Sequence, residues 1–149
     1  MKRLLEGIQK FQRDVFPQKR ELFRRLALGQ HPNTLFITCA DSRVSPTLFT
    51  QSEPGEIFVI RNAGNIVPAY RLPAGGVTSG IEFAVAVLNV KEIVICGHTD
   101  CGAMKGLLHP ERLAYVPAVA DWLTQAQATR RLVLDNYPGL DDAALLDVT

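Results

Sequence analysis

The chain has 149 residues, of which 47% are hydrophobic and 21% charged, and this composition is typical of a single globular domain. The formal net charge of +1 argues against nucleic acid or an anionic membrane surface as a partner, since neither would meet a strong overall field. No apolar run is long enough to cross a bilayer, and the N-terminal stretch MKRLLEGIQKFQRD carries charge throughout, unlike a signal peptide. Because the cysteines number three, an odd count, a disulfide framework is disfavoured. We therefore expect a cytoplasmic protein whose thiols bind metal or take part in chemistry.

Apolar strands alternate with helices along the chain. Two amphipathic helices come first, at residues 4–15 and 18–28, and the second ends at Gly29. The predicted strands are 34–38, 56–60 and 92–96, and the later helices are 46–51, 78–88, 103–108 and one or two within 116–137. Strands that are continuously apolar and separated by helices predict an α/β fold with a parallel sheet covered on both faces. The helix at 78–88 is apolar almost all round, so we predict that it is buried.

Reactive side chains follow two of the predicted strands directly. CADSR (39–43) comes after TLFIT, and GHTDCG (97–102) comes after EIVIC. Because the carboxyl ends of parallel strands share one edge of the sheet, the two loops should face each other. Cys39, His98 and Cys101 would then form a Cys₂His set, which suits tetrahedral zinc with one open position. Asp41 can reach the same metal or hydrogen-bond beside it, and Arg43 can orient Asp41 through a bidentate ion pair.

Each of these residues also has an ordinary explanation. A single cysteine at the end of a strand is usually a small buried hydrophobe, and we assign Cys96 to that class, with its side chain pointing away from the site. Asp41 and Arg43 alone would form a surface ion pair of little energetic value. His31 and His109 neighbour prolines and are expected to face solvent. GGVTSG (75–80) lacks the Lys-Ser/Thr of a phosphate-binding loop, and the C-x₄-C spacing at 96–101 is not that of a thioredoxin-like site.

Three long segments resemble the plant-type branch of the β-class carbonic anhydrases. They are CADSRVSP (39–46), FVIRNAGNIVP (58–68) and EFAVAVLNVKEIVICGHTDCG (82–102). The resemblance implies that Cys39, His98 and Cys101 bind zinc, and that Asp41 and Arg43 form a catalytic dyad that leaves the fourth zinc position free for water. The implied activity is the reversible hydration of carbon dioxide to bicarbonate and a proton.

The same resemblance implies a substrate pocket that two subunits share. Gln30 matches a glutamine that reaches the site across a dimer interface, and the N-terminal helices would pack on the partner subunit. Phe58, Ala63, Phe83 and Gly102 fall at pocket positions, although Ala63 and Phe83 depart from the Val and Tyr of plant members. We therefore expect a homodimer or a higher homo-oligomer with a pocket of altered size.

Two further features bear on the kind of protein. CGAMKGLL (101–108) and QATRRLVLDNY (127–137) are most similar to cyanobacterial, carboxysome-associated members, which makes carboxysome components candidate partners and the carboxysome a candidate location. The chain stops at AALLDVT, whereas family members continue, so residues 1–149 are expected to be a single domain that lacks the family's C-terminal part. Two alternatives stay open: a catalytically impaired, zinc-stabilised scaffold or assembly protein, and another zinc hydrolase, for instance one acting on small thiocarbonyl compounds.

Overall fold

The computed structural model describes all 149 residues and contains a three-stranded parallel sheet. The strands are β1 (Thr34–Cys39), β2 (Ile57–Asn62) and β3 (Glu92–Cys96), in the spatial order β2-β1-β3. Cys39 is paired with Asn62 of β2, and Thr38 is paired with Cys96 of β3. The three strands thus end level at one edge of the sheet, and the predicted α/β class is confirmed.

Eight α-helices surround or extend from this sheet. They are α1 (Lys2–Lys10), α2 (Arg20–Leu28), α3 (Pro46–Thr50), α4 (Gly76–Glu82), α5 (Gly102–Leu108), α6 (Pro117–Leu123), α7 (Gln127–Asn136) and α8 (Asp142–Asp147). Helices α1 and α4 each continue into a π-helical turn, Phe11–Val15 and Phe83–Val87 respectively. The region 116–137 divides into α6 and α7, joined by a 3₁₀ turn. No helix combines the length and the apolar character needed to cross a membrane.

The central strand β1 carries most of the core. Leu35 and Ile37 are fully buried and pack with Ala84. A second cluster of Ile66, Leu107 and Leu123 lies between the β2 exit turn and helices α5 and α6. Burial of apolar surface contributes about 25 cal/mol of stabilisation per Å². The buried side chains therefore stabilise the packing of the sheet edge and its loops.

Two burial predictions are wrong for this chain. Strand β3 was expected to be covered on both faces, yet Ile93 is 53% exposed and Ile95 is 56% exposed. The helix at 78–88 was expected to be buried, yet Val85 and Val87 are exposed, and Phe83 is 42% exposed. The reason is topological: β3 is an edge strand with one neighbour, and the helices of this chain leave its faces open.

The first helix, α1, presents an apolar stripe that the rest of the chain does not cover. Neither α1 nor α2 contains a buried residue, and Leu4 and Ile8 are largely exposed. Only the aromatic rings of Phe11, Phe16 and Phe23 pack together where the two helices meet. The expectation that these helices pack on a partner subunit stays a prediction.

Candidate metal centre

The structure brings Cys39, His98 and Cys101 together at the carboxyl edge of the sheet. Cys39 is the last residue of β1, and the other two lie on the loop that leaves β3. Their ligand atoms lie within 4.8 Å of one another, and the two Sγ atoms are 3.9 Å apart. Zinc bonds of about 2.3 Å to each sulfur in tetrahedral geometry require an Sγ–Sγ separation of about 3.8 Å. The spacing of the thiols therefore fits a tetrahedral zinc ion.

The imidazole of His98 is oriented as a metal ligand. Its Nδ1 lies 2.9 Å from the backbone carbonyl of Thr99 and donates to it, because a carbonyl oxygen can only accept. In the neutral imidazole the other nitrogen, Nε2, then carries the free lone pair. Nε2 is buried and has no hydrogen-bond partner in the protein. Because a buried polar atom without a partner is costly, this nitrogen indicates a missing ligand, and a metal ion meets that need.

Backbone N–H groups surround both sulfurs. Burial acts to raise the pKa of the Cys39 thiol, but hydrogen bonds, first among them those from the N–H groups of Asp41 and Gly64, together outweigh it and lower the pKa. Burial raises the pKa of the Cys101 thiol, and this effect outweighs hydrogen bonds from the N–H groups of Met104 and Ala103. The hydrogen bonds thus favour the thiolate form of Cys39, which is the form that binds metal.

Asp41 and Arg43 form a bidentate ion pair beside the ligands. The Arg43 Nε and one terminal nitrogen each donate to an Asp41 carboxylate oxygen at 2.9 Å, and the Arg43 backbone N–H adds a third bond of 2.9 Å. These hydrogen bonds to Arg43 hold the pKa of the Asp41 carboxyl well below its usual range. Arg43 also donates to the Asp100 carbonyl at 3.1 Å and lies 3.3 Å from Nδ1 of His98. Asp41 is therefore ionised and turned toward Arg43, and it is not part of the three-residue ligand cluster.

Arg61 supports the same loop, although motif reasoning assigned it no role. Its Nε donates to the Cys39 carbonyl at 3.2 Å, and a terminal nitrogen donates to the Asp41 carbonyl at 2.9 Å. Arg61 lies near the end of β2, where an apolar run gives way to charge, the same signal that drew attention to the loop at 39–43. That signal, applied to the second strand, would have identified it.

Gly64 is required by its conformation and by its surroundings. Its φ of +80° lies in the left-handed region, which disfavours side chains with a Cβ. A Cβ placed there would come within 2.7 Å of Met104 Cε and 3.0 Å of Ala103 Cβ. The side chain of Asn62 closes this turn by hydrogen-bonding both the N–H and the carbonyl of Ile66, at 2.9 and 3.0 Å. The tight turn allows the Gly64 N–H to reach the Cys39 sulfur.

The predicted pocket residues divide into two groups. Ala63 directly precedes Gly64, and Gly102 directly follows the ligand Cys101, so both lie beside the metal cluster. Phe58 pairs with Leu35, four residues before Cys39, so it lies about 13 Å back along the sheet at about 3.3 Å per residue. Phe83 contacts Phe58, with ring centroids 6.0 Å apart, and the exposed Gln30 precedes the start of β1. The chain does not bring these three to its own ligand cluster.

The remaining cysteine and histidines lie outside the cluster. The Cys96 sulfur donates to the Gly97 carbonyl and is not part of the ligand cluster, as expected. His31 is exposed, also as expected. His109 was expected to face solvent, but its side chain is only 23% exposed, with Glu111 at 3.3 Å and Asp142 at 3.1 Å. This interaction arises because α8 folds back against the end of α5.

The ligand cluster borders an open cavity of about 290 Å³. Asn65 and the loop 97–101 line one side, and Leu146 and Thr149 at the end of α8 line the other. The cluster therefore has room for a fourth ligand or a small reactant.

Comparison with known proteins places the chain in a family. The carbonic anhydrase family profile matches residues 34–146, which include every residue of the ligand cluster. The chain belongs to the β-carbonic anhydrase family. It is 52% identical to a carbonic anhydrase of Synechococcus elongatus, over 99% of this chain and 55% of that protein. The chain spans about half the length of the curated relatives it matches.

Solved structures agree with this membership. The structure of the β-carbonic anhydrase CcaA superposes with a TM-score of 0.94 at 53% identity, covering 99% of this chain and 72% of that one. A chain from the crystal structures of two tetrameric β-carbonic anhydrases of Sordaria macrospora matches at 33% identity with a TM-score of 0.81, over 97% of this chain and 71% of that one. The parallel sheet and its loops thus follow the family fold closely.

Proposed function

We propose that this β-carbonic anhydrase family member catalyses the zinc-dependent, reversible hydration of carbon dioxide to bicarbonate and a proton. The observation that carries the proposal is the cluster of two sulfurs 3.9 Å apart facing a buried, unpartnered His98 Nε2, with a free side toward the cavity. A zinc ion held by Cys39, His98 and Cys101 would supply the Lewis acid that makes water nucleophilic near neutral pH.

The surrounding residues support hydration of a small neutral molecule. Two thiolates balance the charge of a divalent ion, so the site does not depend on an anionic substrate for neutrality. The guanidinium of Arg43 adds a positive charge beside His98, which favours the anionic product bicarbonate. By holding Asp41 through two charge-assisted bonds, Arg43 also keeps that carboxylate off the ligand cluster, which would leave a fourth position on a bound zinc ion free for water.

The direct test is a CO₂ hydration assay with zinc quantified on the same sample. We expect about one zinc per chain and catalysis above the buffer rate, both removed by a chelator and restored by zinc. Zinc-loaded protein without hydration activity would favour the alternative of a zinc-stabilised scaffold. Turnover of small thiocarbonyl compounds in place of carbon dioxide would favour the alternative hydrolase.

The rate should rise between about pH 7 and pH 9. Thiolates donate more charge than imidazoles, so water activation in a Cys₂His set needs a higher pH than in an all-histidine set. The low pKa of Asp41 keeps the dyad with Arg43 intact throughout this range, so loss of the ion pair does not shape the profile. Initial rates in strong buffer across pH 6 to 9 provide the measurement, and a flat profile down to pH 6 would contradict the assignment of the donor set.

We also propose that the active form is at least a dimer whose subunits complete each other's pockets. The argument is distance: β1 from Thr34 to Cys39 is about 17 Å long at about 3.3 Å per residue, and Gln30 lies before its start. Phe58 and Phe83 likewise sit well behind the ligand cluster of their own chain. A second copy, bound through the exposed apolar stripe of α1 and the exposed face around Phe83, could bring these residues to the site. The tetrameric Sordaria macrospora enzymes show that relatives assemble.

Light scattering at micromolar concentration tests this assembly. The parent chain should have at least the mass of a dimer, and Ile8→Glu should shift it toward monomer because it puts a charge in the apolar stripe. The same variant should keep zinc but lose most of its hydration rate. Lys10→Glu, a charge change on the same helix away from the stripe, is the matched control and should assemble like the parent. An active, zinc-loaded monomer would overturn the shared pocket.

Carboxysome components and a cytoplasmic or carboxysomal location remain predictions from the resemblance. The cyanobacterial origin of the Synechococcus elongatus relative supports the carboxysome part of this prediction. Co-sedimentation with purified carboxysome shells is the corresponding measurement.

A further inference from the structure

Trp122 of α6 is hydrogen-bonded to the turn that supports the metal ligand Cys39. Its indole Nε1 donates to the carbonyl oxygen of Ala63 at 2.8 Å, across 59 positions of sequence. The indole ring is half-buried and packs against the cluster of Ile66, Leu107 and Leu123. The core therefore anchors the indole ring, while the hydrogen bond itself lies on the exposed side of the turn.

The carbonyl that Trp122 binds belongs to the same peptide unit whose N–H binds the Cys39 sulfur. The Ala63 carbonyl and the Gly64 N–H are the two ends of one planar amide, and a trans amide directs them to opposite sides. Electron withdrawal at the oxygen makes the N–H a stronger donor, and serial hydrogen bonds of this kind strengthen one another by about 10–30% per bond. An uninterrupted path thus runs from the indole through the peptide to the sulfur.

We infer that Trp122 is a positioning residue of the metal site, whose indole N–H orients and polarises the Ala63–Gly64 peptide and thereby limits how strongly the Cys39 sulfur donates to a bound metal. The inference rests on the proposed function only for its effect on catalysis. A stronger hydrogen bond at the sulfur leaves the metal more electron-poor and more acidic toward water. Trp122 would then adjust the site without touching the metal or the reactants.

The chain offers an unusually selective test because it contains a single tryptophan. Replacement with 5-fluorotryptophan during expression changes only this side chain, keeps the ring and makes the indole N–H a stronger donor. Trp122→Phe keeps an aromatic ring in the cluster but removes the donor. Leu113→Ala is the matched control, since Leu113 packs against the same cluster as Trp122 and has no polar group.

The first readout is the amide proton resonance of Gly64 in the metal-free protein. It should move upfield in Trp122→Phe and downfield with 5-fluorotryptophan, while Leu113→Ala leaves it in place. The second readout is the sulfur-to-metal charge-transfer band of the cobalt(II) protein. It should move to lower energy in Trp122→Phe, because the sulfur becomes a better donor, and to higher energy with 5-fluorotryptophan.

Opposite signs for the two replacements distinguish a hydrogen-bond effect from a loss of packing. Shifts of the same sign, or none in either protein, would overturn the role of Trp122. The fluorinated protein keeps the full ring, so where Trp122→Phe folds poorly its own shifts decide: a downfield Gly64 amide and a higher-energy band support the role, and no shift or the reverse overturns it. The expected shift of the pH–rate midpoint to higher pH in Trp122→Phe tests the link to catalysis. Cobalt binding and the predicted spectral shifts without CO₂ hydration would count against the proposed function alone, whereas a chain that binds no cobalt would overturn both.

Discussion

Cys101→Ser should lose zinc almost completely and unfold at a lower temperature than the parent. Serine keeps the size of the side chain but removes the thiolate whose sulfur lies 3.9 Å from that of Cys39. The loss of affinity should exceed the roughly 10–100-fold that removal of an outer-shell partner costs, because a direct ligand is lost. Metal that binds only the folded state at about 100 times its dissociation constant adds about 2.7 kcal/mol, so chelation should lower the parent Tm by about 5–10 °C. Zinc content by mass spectrometry and the thermal shift on chelation are the measurements.

Cys96→Ser is the matched control for that experiment. Cys96 ends β3 two residues before His98, yet its sulfur hydrogen-bonds to Gly97 and lies outside the ligand cluster. This variant should retain zinc and show the parent's response to chelation. Full zinc retention in Cys101→Ser, or equal loss in both variants, would refute the ligand assignment.

Arg43→Ala should reduce CO₂ hydration at neutral pH by at least about a hundredfold, the scale of losing one preorganised electrostatic group, while zinc stays bound. Arg43 supplies both charged hydrogen bonds that hold the Asp41 carboxylate. Without these bonds, the Asp41 carboxylate could turn toward a bound zinc ion and compete with water for its fourth coordination position. The measurement is kcat/KM together with metal content on the same preparation.

The double variant Asp41→Ala/Arg43→Ala separates competition by Asp41 from simple loss of the positive charge. If Asp41 blocks the site in Arg43→Ala, removal of the carboxylate should restore part of the activity. Arg43→Lys, which keeps the charge but lacks the planar fork, should fall between the parent and Arg43→Ala. Arg13→Ala removes a bidentate ion pair with Asp14 on the exposed N-terminal helix and should leave the hydration rate unchanged. Near-normal activity in Arg43→Ala would show that the ion pair does not control the site.

The sequence alone was sufficient to predict that the three ligands lie close together. TLFIT and EIVIC are apolar runs too short for typical helices and separated by helical patterns, so they predict parallel strands. Parallel strands end at a common edge, which places Cys39 beside the loop with His98 and Cys101 before any coordinates are known. The ion pair of Asp41 and Arg43 can likewise be predicted from local sequence, because side chains two residues apart in one turn can meet without long-range packing.

Only the tertiary structure decided which apolar surfaces are covered and which distant groups support the site. The apolar content of 78–88 and of β3 is equally compatible with burial in one chain or against another, and the strand order β2-β1-β3 leaves both exposed here. The bonds from Arg61 to the Cys39 loop and from Trp122 to Ala63 join residues 22 and 59 positions apart. No local propensity encodes such contacts, because they depend on strand register and on how α6 packs over the β2 turn. The identity of the ligands could therefore be predicted from local sequence. Their orientation, and the hydrogen bonds that surround them, depend on the packing of the whole chain.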